Sequence, residues 1–314
     1  MSTTVLPIVP VTTLPDSAPL NYTVYAILGV QKGDESKGKQ MPHYINDVDG
    51  KQAVMGIRVN GGANAGHTVY VSIDNPFLFI TAQKREEYRQ KGINTIKFAT
   101  HQLPTSILFK YKDNENREMT SVIGFNCMID LPKLAKELME VAGQLGRTYE
   151  EMSDSLKIVP EAQLTLPEHV AEDKENDAVG TTGSGMGPGY AAKAYRRGRN
   201  SLDFYNKCVD GSVNNDPKCK SLLDAIHKSE QHAKNPITFV NNKVWGIEIV
   251  PWIVLFKLIK NGDKIIVEGA QGFWLDINLG PAPYTTSSDC TIGTPCSYGF
   301  VLEFIKVIGV SKAY

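Results

Sequence analysis

The 314-residue sequence has no run of 18 uninterrupted apolar residues, so no stretch reads as a membrane-spanning helix. Its beginning lacks a basic patch followed by an apolar core, so no secretory signal is evident. Cysteine is scarce: five residues, Cys127, Cys208, Cys219, Cys290 and Cys296, an odd and scattered set. That argues against a disulfide framework and for a reducing compartment, hence the cytoplasm (the host's, if the gene is viral). Cys208 and Cys219 have no second close pair, which argues against a structural zinc. An excess of one charge is missing too, since 33 Lys+Arg face 34 Asp+Glu. Such a balance exerts no long-range pull on polyanions. It argues against broad nucleic-acid or membrane surfaces and leaves room for a local phosphate pocket.

What is present is globular in composition, 42% hydrophobic and 21% charged, and long enough for a large core. Residues 1–20 hold four prolines and read as an extended arm. Residues 21–314 read as one α/β domain with a mostly peripheral segment at 125–243. Val24 to Gly29 is an apolar run ending in glycine, a strand buried on both faces. A helix starts inside the following polar turn and reaches about Val48. Val54 to Val59 is a second buried strand, closed by a glycine-rich turn. Thr68 to Ile73 and Phe77 to Ile80 read as a hairpin. Ser121 to Gly124 is a strand; Asp130 then offers a helix N-cap and Pro132 a first-turn position. Val244 to Ile259 is ambiguous, more helical toward its end. Lys264 to Gly269 is another buried strand, and Phe300 to Val310 is a helix or a strand. Strands ending in glycine turns, with helices between, predict a largely parallel sheet flanked by helices.

The turn Gly33-Asp34-Glu35-Ser36-Lys37-Gly38-Lys39 carries the sharpest local signal. Glycines allow backbone N–H groups to approach a phosphate, lysines add charge, and the helix start adds free N–H groups. The stretch nearly fits the nucleotide loop G-x-x-x-x-G-K-[ST], but Gln40 stands where a metal-binding hydroxyl belongs. The alternative is a solvated charged turn. Asp34, at its mouth, is suited to hold magnesium or to accept a proton. His67, among Asn64, Gly66 and Thr68, is the matching acid at a neighbouring strand end, or a structural histidine. Gly180 to Pro188, with Thr181 and Thr182, suits a monophosphate or is a plain surface loop, and Arg196-Arg197 follow it as phosphate donors or solvated charge. Gln271, after Glu268-Gly269-Ala270, carries the paired donor and acceptor that read a base edge, unless this is an ordinary turn. Thr285 to Ser288 is a run of hydroxyls that on its own reads as loop.

Together LGVQKGDESKGK (28–39), NGGANAGHT (60–68), the QLP of HQLP (101–104), VGTTGSGMGPGY with KAYRRG (179–198), VEGAQG (267–272) and YTTSS (284–288) resemble adenylosuccinate synthetase. They stand in family order with near-family spacing. The resemblance implies a P-loop-NTPase-like fold and a C–N ligase that joins L-aspartate to C6 of a purine nucleoside monophosphate. Inosinate is the expected acceptor, GTP (or ATP) the phosphoryl donor, Mg2+ the metal, and a 6-phosphoryl species the intermediate. It implies Asp34 as base and magnesium ligand, His67 as acid, Lys37 as phosphate neutraliser and the Gly66 carbonyl as second metal ligand. The triphosphate would meet Gly33, Glu35, Ser36, Lys37, Gly38, Lys39, Gly66, His67 and Thr68. The purine monophosphate would meet Asp34, Asn64, Thr181, Thr182, Gln271 and Thr286, with Arg196 reaching it from the other subunit of a homodimer.

Departures from the family pattern keep alternatives open. Lys32 stands where Trp is usual, Ser36 where Gly is usual, and Ser184 replaces the arginine of G-T-T-G-R-G. The sequence stops at Tyr314, where family members continue into an aspartate-binding arginine loop and a guanine-recognition motif. The chain is therefore expected to be either a fragment or a shortened, divergent member. A viral-type relative acting on (d)GMP and a non-catalytic purine-nucleotide binder remain as alternatives.

Overall fold

The structure, a computed structural model, describes residues 21–46, 51–111, 116–175 and 180–313. The expected arm at 1–20 and the end of the first helix past residue 46 lie outside the described residues. The chain runs β1 (Thr23–Gly29), α1 (Lys37–Asn46), β2 (Met55–Arg58), β3 (His67–Ser72), α2 (Ala82–Gln90), β4 (Thr95–Thr100) and β5 (Thr120–Ile123). There follow β6 (Met128–Ile129), α3 (Leu131–Leu145), α4 (Tyr149–Asp154), β7 (Leu156–Ile158), β8 (Gln163–Leu164), α5 (Pro167–Glu175) and α6 (Met186–Ala194). Then come α7 (Ser201–Val209), α8 (Pro217–His227), α9 (Glu230–Lys234), β9 (Phe239–Val240), β10 (Lys243–Val244) and β11 (Ile247–Ile249). Among the described residues α10 (Trp252–Phe256), β12 (Lys264–Glu268), α11 (Gly293–Ser297) and β13 (Ile305–Val310) complete the order. None of the described helices is long and apolar enough to cross a membrane.

One nine-stranded sheet has the order β13-β1-β12-β2-β5-β7-β11-β10-β9. It is parallel from β13 to β11 and antiparallel across β10 and β9. Two hydrophobic clusters, one containing Ile27, Met41 and Phe98, the other Val24, Ile57 and Phe300, cover its faces. Strands buried this way must be largely apolar on both faces, and β1, β2 and β12 are so along their middles, with the charged Arg58, Lys264 and Glu268 only at strand ends. The P-loop-NTPase-like α/β expectation therefore holds. Residues 125–243 contribute α3, α5 and α7 and also the sheet strands β7 and β9.

Helix α3 forms as its sequence predicts. The Asp130 carboxylate accepts from the Lys133 N–H at 3.1 Å, Pro132 takes the first turn, and Gly146 ends the helix in the left-handed region at φ 67°. Its apolar stripe, Leu134, Leu138, Val141 and Leu145, is buried.

The expected hairpin is different. β3 pairs antiparallel with β4, from His67 opposite Thr100 to Ser72 opposite Thr95. Phe77 to Ile80 instead runs under Leu108 and Phe109. β4 alternates exposed and buried along its length and matches the face of β3 that is buried. Residues 77–80 are apolar because they enter the core, and α2 intervenes before the pairing partner arrives. The ambiguous 244–259 stretch resolves into β10, β11 and the short helix α10, and 300–310 ends as strand β13.

Candidate active site

Three adjacent parallel strands, β1, β12 and β2, end on the same side, and the loops 30–36, 269–272 and 59–66 leave from those ends. A parallel α/β sheet presents free loop N–H groups there and offers a crevice to ligands. A cavity of about 590 Å³ opens at this edge. Gly33, Asp34, Glu35, Ser36, Lys37, Gly38 and Lys39 line one side, and Asn64, Gly66, His67 and Thr68 a second. Thr181, Thr182, Gln271, Thr285, Thr286 and Ser287 close it. All the site residues read from the sequence face it except Arg196, which lies just past the end of α6, exposed and at φ 59°. Thr285, Thr286 and Ser287 of the hydroxyl run 285–288, read on its own as loop, are thus part of the wall.

The first loop holds itself in place. Gly33, Asp34 and Ser36 all take positive φ. The Glu35 carboxylate accepts from the Gly33 N–H at 2.8 Å and the Gln31 N–H at 3.1 Å, and pairs with Lys37 Nζ at 2.7 Å. Lys37 also donates to the Gln271 carbonyl. Burial would raise the Glu35 carboxyl, but the Lys37 hydrogen bond and charge, with the loop N–H groups, outweigh it and leave it below its ordinary value. Burial moves the Lys37 ammonium down, against the pull of Glu35. A β-carbon on Gly38 would lie 2.8 Å from the Thr68 carbonyl, so glycine there lets α1 seat against β3 and brings the first two loops together.

Asp34 is different in kind. Its carboxylate is 98% exposed, with Lys312 Nζ at 4.0 Å. An exposed carboxylate in the lining that also holds Gly66 offers oxygen donors, the type that suits Mg2+ completed by phosphate and water oxygens. Elsewhere Asp203, Asp216 and Cys219 come within 4.8 Å of one another. They are not part of the cavity: Asp216 caps α8 through the Lys218 and Cys219 N–H groups and pairs with Arg199 at 2.7 Å.

His67 sits in a fully buried ionic cluster that sequence reading did not find. Its Nδ1 contacts Glu268, and Arg58 NH1 lies 2.8 Å from Nδ1. Glu268 also accepts from Arg58 at 3.0 Å, from the Thr105 N–H at 2.7 Å and from the Thr105 hydroxyl at 3.0 Å. Burial and the Arg58 charge hold the imidazole at about 4, neutral near pH 7. Burial would raise Glu268, yet the neighbouring His67, Arg58 and Thr105 donors bring it to about 2. An ionised Glu268 favours the imidazole proton on Nδ1, which makes Nε2 an acceptor, with Arg58 NH1 3.3 Å away as a donor. The signal was available: Arg58 ends the otherwise apolar buried strand β2, Glu268 ends β12, and the two are register partners. Each charge needed the other.

Gln271 and Asn64 complete the walls. Both polar atoms of the Gln271 amide and the Asn64 side-chain oxygen are buried with no partner. Buried amides are almost always hydrogen-bonded, so partnerless ones facing a cavity mark where a polar ligand sits. Asp173 on α5 also lines the cavity, though no motif contains it.

The adenylosuccinate synthetase family profile matches residues 26–314. The chain belongs to the adenylosuccinate synthetase family. An adenylosuccinate synthetase of Desulfatibacillum aliphaticivorans is 33% identical over 303 residues, covering 92% of this chain and 61% of the relative. That of Thermosipho africanus is 32% identical over 291 residues, 92% of this chain and 63% of its own length. Among solved structures, fully ligated adenylosuccinate synthetase from Plasmodium falciparum superposes with TM-score 0.60 at 27% identity over 92% of this chain and 61% of that one. The succinoaminodeoxyadenylate synthetase of cyanophage S-2L, bound to dGMP and dATP, shares the fold at TM-score 0.56 and 20% identity, over 92% of this chain and 64% of that one. The chain thus spans a little over three-fifths of the length of the synthetases it matches.

Proposed function

We propose that the cavity binds a purine nucleoside monophosphate, inosinate foremost, and that the protein joins L-aspartate to its C6 with hydrolysis of GTP or ATP. The observation that carries this reading is the buried, partnerless amide of Gln271 in a cavity that Asn64, with its own partnerless oxygen, also lines. An amide offers a donor and an acceptor side by side, the pattern of a purine edge. Family membership supplies the chemistry it would serve.

In this reading Asp34 withdraws the N1 proton, and O6 attacks the γ-phosphorus as the bond to the β-phosphate oxygen breaks. The aspartate amine then attacks C6, and phosphate leaves from O6. Oxygen at C6 is a poor leaving group and phosphate a good one. Lys37 exchanges Glu35 for phosphate oxygens as the donor arrives, and the N–H groups at Gly33 to Lys39 become its cradle. His67 takes the proton that the aspartate amine sheds on attacking C6 and gives it to the departing phosphate. Asp34 and the Gly66 carbonyl would hold Mg2+, which supplies charge neutralisation on the phosphates when bound. Thr182 and Thr286 meet the 5′-phosphate. Arg196, exposed and outside its own cavity, meets it from the second subunit of a homodimer. Five free cysteines agree with a reducing, cytoplasmic setting. Residues 21–314 act as one synthetase-like domain in this reading.

The test is a product assay on the purified chain with magnesium and aspartate. Inosinate and (d)GMP are each crossed with GTP and ATP. Product from inosinate is the expected result. Product from a guanylate alone would replace the acceptor, a change that Ser184 in place of the family arginine makes worth testing. Monophosphate binding without product from any pair would leave a non-catalytic binder.

A further inference from the structure

We propose that Asp173 is a positioning residue, which fixes the hydroxyl-bearing loop 180–185 so that Thr182 and the loop N–H groups meet the 5′-phosphate while Thr181 serves as a tie within the loop. The inference rests on the reading of the cavity as a nucleoside monophosphate site.

Asp173 lies on α5, is 6% exposed and lines the cavity. Its two oxygens have separate tasks. Oδ1 accepts from the Thr181 hydroxyl at 2.6 Å, and Oδ2 accepts from the Gly185 N–H at 2.8 Å. The Thr181 oxygen accepts in turn from the Gly183 N–H at 3.2 Å. The Thr181 hydroxyl proton is therefore committed to the carboxylate rather than to a ligand. Gly180 just before these anchors, Gly183 between them and Gly185 at the second all take positive φ. Such a segment has much conformational freedom to lose, and one buried carboxylate holding it at both ends confines it.

Packing against α5 adds a second, independent restraint. A β-carbon on Gly185 would come within 3.0 Å of the His169 carbonyl carbon and the Val170 nitrogen. One on Gly183 would come within 3.3 Å of the Lys174 Cγ. The loop thus lies directly on the helix that carries Asp173. The carboxylate charge is absorbed by the two donors it faces, so the cavity wall it supports can accept an anion.

The experiment compares the full chain with its Asp173→Ala and Asp173→Asn variants, measuring dissociation constants for inosine, inosine 5′-monophosphate and GTP, together with thermal midpoints. Asp173→Ala is expected to weaken the monophosphate about ten-fold or more, the effect of losing one to two hydrogen bonds that organise the loop. Inosine and GTP affinity should stay within about two-fold. Asp173→Asn retains an acceptor for Thr181 but offers an amide where Gly185 donates, so it should fall between. Equal monophosphate affinity in the wild type and Asp173→Ala overturns the inference. So do parallel losses for all three ligands with a lowered midpoint, which is what a merely structural role produces. A wild-type chain that binds no monophosphate overturns the site reading itself, a result distinct from either.

Discussion

The buried cluster around Glu268 invites a substitution that changes charge without changing shape. In Glu268→Gln the side chain keeps its length and one carbonyl oxygen, and loses the negative charge that faces Arg58. Arg58 is 1% exposed and Glu268 0% exposed, so water cannot take over. The guanidinium would keep its bond to the Ala65 carbonyl at 2.8 Å, with its Nε already partnerless. Removing one member of such a pair typically costs about 3–5 kcal/mol, because the other is left as an uncompensated buried charge. The amide also presents N–H to either the Thr105 N–H or the Arg58 side, adding a donor–donor clash. With an m-value of roughly 3 kcal/mol/M for a domain this size, the urea midpoint should fall by about 1 to 1.7 M. Adding Arg58→Met should recover part of the loss, making the double variant less destabilised than the sum of the singles. A midpoint for Glu268→Gln within a few tenths of a molar of wild type, or strict additivity, would refute the view that charge pairing holds this cluster.

Other outcomes follow from the same geometry. His67 is held at about 4 against an ordinary 6.5, so between these values the unfolded chain binds more protons than the folded one. That contribution to stability is complete above about pH 6.5 and is lost as pH falls toward 4, with a slope approaching 1.4 kcal/mol per pH unit. Glu268, at about 2 against 4.5, extends the same trend below pH 4.5. Urea unfolding at several pH values checks this, and His67→Gln should flatten the upper part of the curve. Gln271→Ala should weaken purine monophosphate binding about ten-fold, read by calorimetry, and equal affinities would remove the amide from the site. Asp34→Asn should abolish ligation while leaving monophosphate affinity nearly unchanged, since it alters a proton acceptor at an exposed position; unchanged turnover would dismiss it as the base.

The parts of the site that sequence disclosed are those whose logic is local. The turn 33–39 follows a buried strand within a few residues, and its glycines and lysines announce a phosphate cradle. Gln271 was readable for the same reason, as a polar residue at a strand-ending turn, whereas the hydroxyl run holding Thr286 reads on its own as loop and entered only through the family resemblance. Asp173 was not, because its partners Thr181 and Gly185 lie across a helix end and its own neighbourhood is an ordinary polar helix. The Arg58–Glu268 pairing depends on which strands become neighbours in the parallel sheet, and strand order is a global property. The β3 partner was misplaced for a related reason. Phe77 to Ile80 offered the nearest apolar run, while the true partner had the alternating pattern and lay beyond α2.

Strand β1, which carries the loop 30–36 at the cavity, stands between β12 and β13, with Thr23 opposite Lys264 and Val24 opposite Ile305. During synthesis β1 leaves the ribosome early and both of its neighbours leave late. At about 5–20 residues per second, it must wait on the order of 10 to 60 seconds for the strands that cover its edges. Until then its backbone edges are unpaired by these strands. The cavity at the end of β1 is consequently among the last features to form, because the strand that carries its first loop is completed only when β12 and β13 arrive.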